Sequence, residues 1–84
     1  MDEITTAVKE YILKEFLPGE DPEELTESTP LITGGILDSI ATLRLVNFLE
    51  ERYNIKLGAH ELDVEHIGSL SSIAALVHSK LGEK

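Results

Sequence analysis

The run Ser39–Tyr53, SIATLRLVNFLEERY, constrains this chain more than any other stretch. Its apolar residues recur at helical spacing and spread beyond the single stripe that a surface helix needs. Leu45, Val46, Leu49 and Tyr53 fall on one side of the helical wheel, with Leu43 flanking them. Ile40, Arg44, Asn47, Phe48 and Glu51 fall broadly on the other. Such a helix needs neighbours on more than one side, so it is expected to be the central element. Ile40 and Phe48 are then left as an exposed apolar surface for partners.

The flanking sequence supplies the neighbours. Ile4, Val8, Tyr11, Ile12 and Phe16 recur at helical spacing, predicting a first helix from Asp2 to about Leu17 that Pro18-Gly19 ends. Ser69 reads as the N-cap of a last helix, with Leu70, Ile73, Ala74, Val77 and Leu81 facing inward and Gly82 as its stop. A short helix is expected between them, around Ala59–Leu62. The fold class that follows is all-α: a small four-helix bundle of three main helices and one short one. With 84 residues, 42% of them hydrophobic, the chain suits one modest core, hence a single domain over residues 1–84. Aromatics are few (Tyr11, Phe16, Phe48, Tyr53), so aliphatic side chains must fill the interior.

Between the first two main helices lies PGEDPEELTESTPLITGGIL, residues 18–37, which has no period and is long for an unstructured connection. Leu25, Leu31, Ile32, Ile36 and Leu37 give it points that pin it over a core, and a short helical turn fits near Asp21–Leu25. The stretch delivers Asp38-Ser39 to the mouth of the central helix. Asp38 is a good N-cap, because its carboxylate accepts a backbone N–H bond and suits the positive helix end. A helix start needs one such residue, not two. A phosphate ester on Ser39 would sit beside unpaired backbone N–H groups, although Asp38 opposes it by charge. On the dipeptide alone, a capped helix start is the simpler reading.

Other chemistry is disfavoured. The chain has no cysteine, so it has no disulfide, thiolate nucleophile or cysteine zinc site, which fits a reducing cytoplasm. The N-terminus MDEITTAVKE is acidic and amphipathic, unlike a signal peptide, and no apolar stretch reaches the length of a membrane span. A formal charge of −9 repels nucleic-acid backbones and favours basic partner surfaces. In HELDVEH, His60 and His66 are six apart, with Val64 where the zinc-protease pattern wants its second histidine, and no metal site is expected. His78 reads as a surface or helix-end residue of the last helix. Ser39 lacks the flanking glycines of an esterase elbow, since Leu37 and Ala41 hold those positions. Gly34-Gly35 lacks P-loop spacing and its lysine, and no calcium loop occurs.

The wider stretch TPLITGGILDSIATLRLVNFLEERYNIKL, Thr29 to Leu57, resembles the phosphopantetheine-attachment region of acyl and peptidyl carrier proteins. Thr29-Pro30-Leu31, a glycine ahead of the serine, Asp38-Ser39 and an apolar residue after it carry the resemblance. The order of helix, long loop, serine-led helix, short helix and last helix extends it over nearly the whole chain. The resemblance implies phosphopantetheine covalently attached to Ser39, with Asp38 helping a phosphopantetheinyl transferase and its magnesium recognise the site. It implies cargo held as a thioester, no catalytic residues of the chain's own, and Ile40, Arg44, Asn47, Phe48 and Glu51 meeting partner enzymes. Ile40 stands where leucine is commoner, and Gly35 lies four residues before Ser39 rather than three. With Ala41, Arg44 and Asn47 in place of acids, the pattern is nearer to stand-alone aminoacyl or D-alanyl carriers. A dedicated acyl- or aminoacyl-adenylating ligase, followed by acyl-processing enzymes, is the partner set expected of a monomeric chain. A small acidic interaction module without a prosthetic group is the competing expectation.

Overall fold

The computed structural model describes residues 3–82, which form four α-helices and two short 3₁₀ turns, with no strand among them. The helices are α1 (Glu3–Phe16), α2 (Ser39–Tyr53), α3 (Val64–Ile67) and α4 (Leu70–Gly82). The 3₁₀ turns are Pro22–Glu24 and Ala59–Glu61.

Helix α1 buries Ile4, Val8 and Ile12 at four-residue intervals and leaves Tyr11 and Phe16 half-buried. It closes with the Leu17 N–H shared between the Ile12 and Leu13 carbonyls. The expected start at Asp2 falls outside the described residues. Helix α2 ends at Asn54, whose left-handed backbone (φ 54°) turns the chain and returns its N–H to the Glu50 carbonyl. The Ser69 hydroxyl accepts the Ser72 N–H at 3.2 Å and so caps α4. Leu70, Ile73, Ala74 and Val77 are buried as expected, Leu81 is half-buried, and Leu76 is also buried.

Two placements differ from the sequence-based expectation. Helix α4, not α2, packs against each of the other three helices. The reason is charge: from Leu70 to Val77 α4 carries none, whereas α2 carries Arg44, Glu50, Glu51 and Arg52 and must keep a solvated side. The short helix lies at Val64–Ile67, past the 3₁₀ turn at Ala59–Glu61 that occupies its expected place. Asp63 sets its start, with its carboxylate accepting the His66 N–H at 3.0 Å. Glu61, buried at the preceding turn, accepts from Lys80 (2.8 Å) and from the Gly58 N–H (2.9 Å), which ties the end of α4 to this region.

The long connection between α1 and α2 is held rather than loose. Leu25, Leu31 and Leu37 belong to the same core as the helices, and Leu31 is fully buried. Removing such a side chain from water contributes roughly 1.5–3 kcal/mol. Two backbone bonds add to this: Leu31 N–H to the Gly68 carbonyl (2.7 Å) and Ser71 N–H to the Glu27 carbonyl (3.1 Å). The connection therefore arrives at Asp38 from a fixed direction.

Candidate functional site at the start of α2

The last turn before α2 is built on one carbonyl. The Leu31 oxygen accepts from both Ile36 N–H (2.9 Å) and Leu37 N–H (2.8 Å). Between them Ile32 and Gly35 close a tight turn, with the Gly35 N–H on the Ile32 carbonyl at 3.1 Å. Gly35 has φ +82°, a backbone conformation that a side chain would strain. Leu37 is buried, and the next residues come out to solvent.

Asp38 is exposed, with extended backbone, and its Oδ1 accepts the Ala41 N–H at 2.8 Å. That is the geometry of an N-cap. Ser39 is exposed as the first residue of α2, and no hydrogen bond among the described residues engages its hydroxyl. Because Asp38 supplies the cap, the serine is not needed for one. Its position at the positive helix end favours a phosphate there.

An open groove of about 490 Å³ runs beside the serine, lined by Ile32, Leu37, Asp38, Ser39, Thr42, Leu43 and Leu62. A smaller one, about 240 Å³, lies on the other side between Phe16, Asp38, Ile40, Ala41 and Arg44. Both grooves have apolar wall, from Ile32, Leu37, Leu43 and Leu62 in the first and from Phe16 and Ile40 in the second.

The structure sorts the residues expected on the outer face of α2. Ile40 is 66% exposed, and Arg44, Asn47 and Glu51 are exposed. Phe48 is not: it is half-buried and stacks on Tyr11, with ring centroids 4.1 Å apart. Tyr11 also meets Phe16 edge-on and donates its hydroxyl to the Arg44 carbonyl at 3.2 Å. Burial pushes the Tyr11 phenol up, as does the Glu15 charge, while the Arg44 cation opposes them. Helix α1 thus covers the side of α2 that carries Phe48. In exchange Leu43, expected to flank the core, is 59% exposed. The signal for Leu43 was present in the sequence: residues four apart share a helix face, so Leu43 sits on the side of Ser39. Val64 of α3, at 52%, is the remaining large exposed apolar side chain among the described residues.

The histidines form no centre. His60 is exposed; His66 places its ring Nδ1 2.6 Å from Asp63 Oδ1, the atom that also caps α3. The Asp63 contact raises the His66 pKa above 6.5 and lowers that of Asp63. Among the described residues, no three of the usual ligand side chains come together to hold a metal ion.

The family model described as "Phosphopantetheine attachment site" matches residues 12–77. The chain is 34% identical over 67 residues to a probable acyl carrier protein PigG of Serratia sp. (strain ATCC 39006), covering 80% of this chain and 76% of that one. It also superposes with a TM-score of 0.76 and 31% identity on a chain of a solved structure, "Crystal structure of FAD-dependent dehydrogenase". That match covers 83% of this chain and 97% of the other. Joined to an all-helical fold in which a held loop presents a free serine, these likenesses place the chain in the phosphopantetheine-attachment family, as a carrier protein that bears its prosthetic group covalently and leaves catalysis to the enzymes it serves.

Proposed function

We propose that Ser39 is the attachment residue and that residues 1–84 act as one carrier domain. The observation that carries this reading is the division of labour at the start of α2. Asp38 satisfies the helix end, which leaves the exposed Ser39 hydroxyl without a structural task. In the modifying reaction, Ser39 Oγ forms a bond to the pantetheine-side phosphorus of coenzyme A. The nucleotide half of coenzyme A leaves, and the serine proton passes to a base of the transferase. Asp38 uses Oδ1 for the cap, and its carboxylate would also help the transferase and its magnesium recognise the site. Once bound, the arm supplies a thiol that holds an acyl or aminoacyl group as a thioester.

The partners of this reading are a phosphopantetheinyl transferase, an acyl- or aminoacyl-adenylating ligase and downstream acyl-processing enzymes. The exposed Ile40, Arg44, Asn47 and Glu51 of α2 are the residues we assign to docking, with Phe48 holding that face from behind. The likeness to a chain found in the structure of an FAD-dependent dehydrogenase, 97% of which this chain covers, supports counting such an enzyme among the downstream partners. A chain without cysteine suits a reducing compartment, and we place it in the cytoplasm.

Thiol titration tests the reading. A cysteine-free chain starts with none, and treatment with a broad-specificity transferase and coenzyme A is expected to add one thiol per chain. A purified product that still has no thiol would contradict it.

A further inference from the structure

Four short links join α3 to the attachment serine. Asp63 caps α3 from an exposed position. The helix closes at Gly68, whose N–H returns to the Val64 carbonyl at 3.0 Å. The Gly68 carbonyl accepts the Leu31 N–H at 2.7 Å, the shortest of the backbone bonds outside the helices. The Leu31 carbonyl then takes both amides of Ile36 and Leu37, immediately before Asp38-Ser39. Leu31 is fully buried, so its peptide groups cannot move aside without exposing the side chain.

Gly68 is glycine for space rather than for backbone freedom. Its φ is −74°, open to any residue, yet an added Cβ would strike the Val64 carbonyl. Only a residue without a side chain lets the end of α3 close tightly enough to offer its carbonyl to the loop. The outward side of α3, meanwhile, is accessible: Val64 is 52% exposed, and the Asp63 and His66 side chains are 53% and 39% exposed.

We propose that Leu31 and Gly68 are positioning residues for Ser39, forming a backbone relay through which the state of α3 sets the placement of the attachment serine. This inference rests on the reading of Ser39 as the attachment residue. A partner that grips Val64 and the start of α3 moves Gly68, and the relay carries that movement to Leu31, Ile36 and Leu37. Neither residue touches the reacting atoms.

The test is amide hydrogen exchange together with transferase kinetics on the full chain, comparing wild type with Asp63→Ala, Asp63→Asn and Gly68→Ala. Asp63→Ala removes an exposed cap together with its contact to the His66 ring and no buried group, so the chain stays folded. The amides of Leu31, Ile36 and Leu37 are expected to exchange roughly fivefold faster, the worth of a lost helix cap. Those of Val8 and Ile12 in α1 should keep their rates. The transferase kcat should fall while KM hardly changes, and Asp63→Asn, which can still cap, should restore both. Gly68→Ala should give a larger change of the same pattern; if it does not fold, Asp63→Ala decides. Unchanged Ile36 and Leu37 exchange beside a faster Leu31 would overturn the relay, as would wild-type kcat in Asp63→Ala. If wild type accepts no arm at all, the attachment reading fails, and the exchange rates still judge the relay separately.

Discussion

Asp38 holds the first turn of α2 with one carboxylate oxygen and has a second to offer, so one substitution can separate capping from recognition. Asp38→Ala is expected to lower stability in urea by about 1 kcal/mol, the usual cost of a lost N-cap, whereas Asp38→Asn should lose little. Both should be modified more slowly than wild type, because an amide or a methyl group is a poor magnesium ligand. Asp38→Asn modified at the wild-type rate would reduce the residue to a cap. The junction was legible in the sequence because its chemistry is local: the glycine turn, the cap and the serine lie within six residues. The covering of Phe48 was not legible. A helical wheel gives angles around one axis, but which angles are covered depends on where α1 lies, and the Tyr11–Phe48 stack is a long-range pairing.

At the scale of elements, α3 is the shortest helix and depends most on its cap, since so short a helix has little stability of its own. The Asp63–His66 contact gives it a pH dependence. The His66 pKa is raised, chiefly by the ring hydrogen bond to Asp63 and further by the charges of Glu61 and Glu65, against the burial of the ring. Its stabilisation is therefore complete below the unfolded value of 6.5 and is lost as pH rises through the higher folded value. The Asp63 pKa is lowered, so its share is present above 3.8 and is lost as pH falls through the lower folded value. The melting-temperature advantage of wild type over His66→Ala should be greatest between these limits and shrink toward pH 8. An advantage that stays constant across that range would show the ring bond to be without effect.

Helix α4 depends on a different pair. Lys80 and Glu61 keep only 19% and 11% of their side chains exposed, and the Gly58 N–H shares the same carboxylate. Lys80→Glu would set two carboxylates together where little water reaches to screen them. The expected loss, on the order of 2 kcal/mol, is readable by denaturant titration. A loss near zero would mean that the pair separates freely in solution. The main helices could be read in advance because each carries its own apolar period, and Pro18-Gly19 marks the end of α1. Helix α3 has too few residues to show a period, so its position could not be read from one. Its markers were Asp63 and Gly68, which bracket it but occur equally in turns.

For the whole molecule, 16 acidic side chains stand against 7 basic ones, and residues 15–43 contain no base at all. The chain is nonetheless drawn into a body with a radius of gyration of 11.8 Å, as expected for a collapsed chain of this length. Self-repulsion between acids should therefore weaken the folded state at low ionic strength. Added salt is expected to raise the melting temperature, and a midpoint indifferent to salt would mean that the acids are too far apart to matter. The same field favours basic partner surfaces, while Arg44 on α2 offers a local exception near Ser39.

The most direct measurement is the intact mass of wild type and Ser39→Ala after incubation with a broad-specificity transferase and coenzyme A. Because Asp38 retains the cap on the Ala41 N–H, Ser39→Ala should keep its fold by circular dichroism. Wild type is expected to gain the mass of a single phosphopantetheine arm, and the folded variant none. An equal gain in both would place the arm on another residue, and no gain in wild type would contradict attachment to this chain.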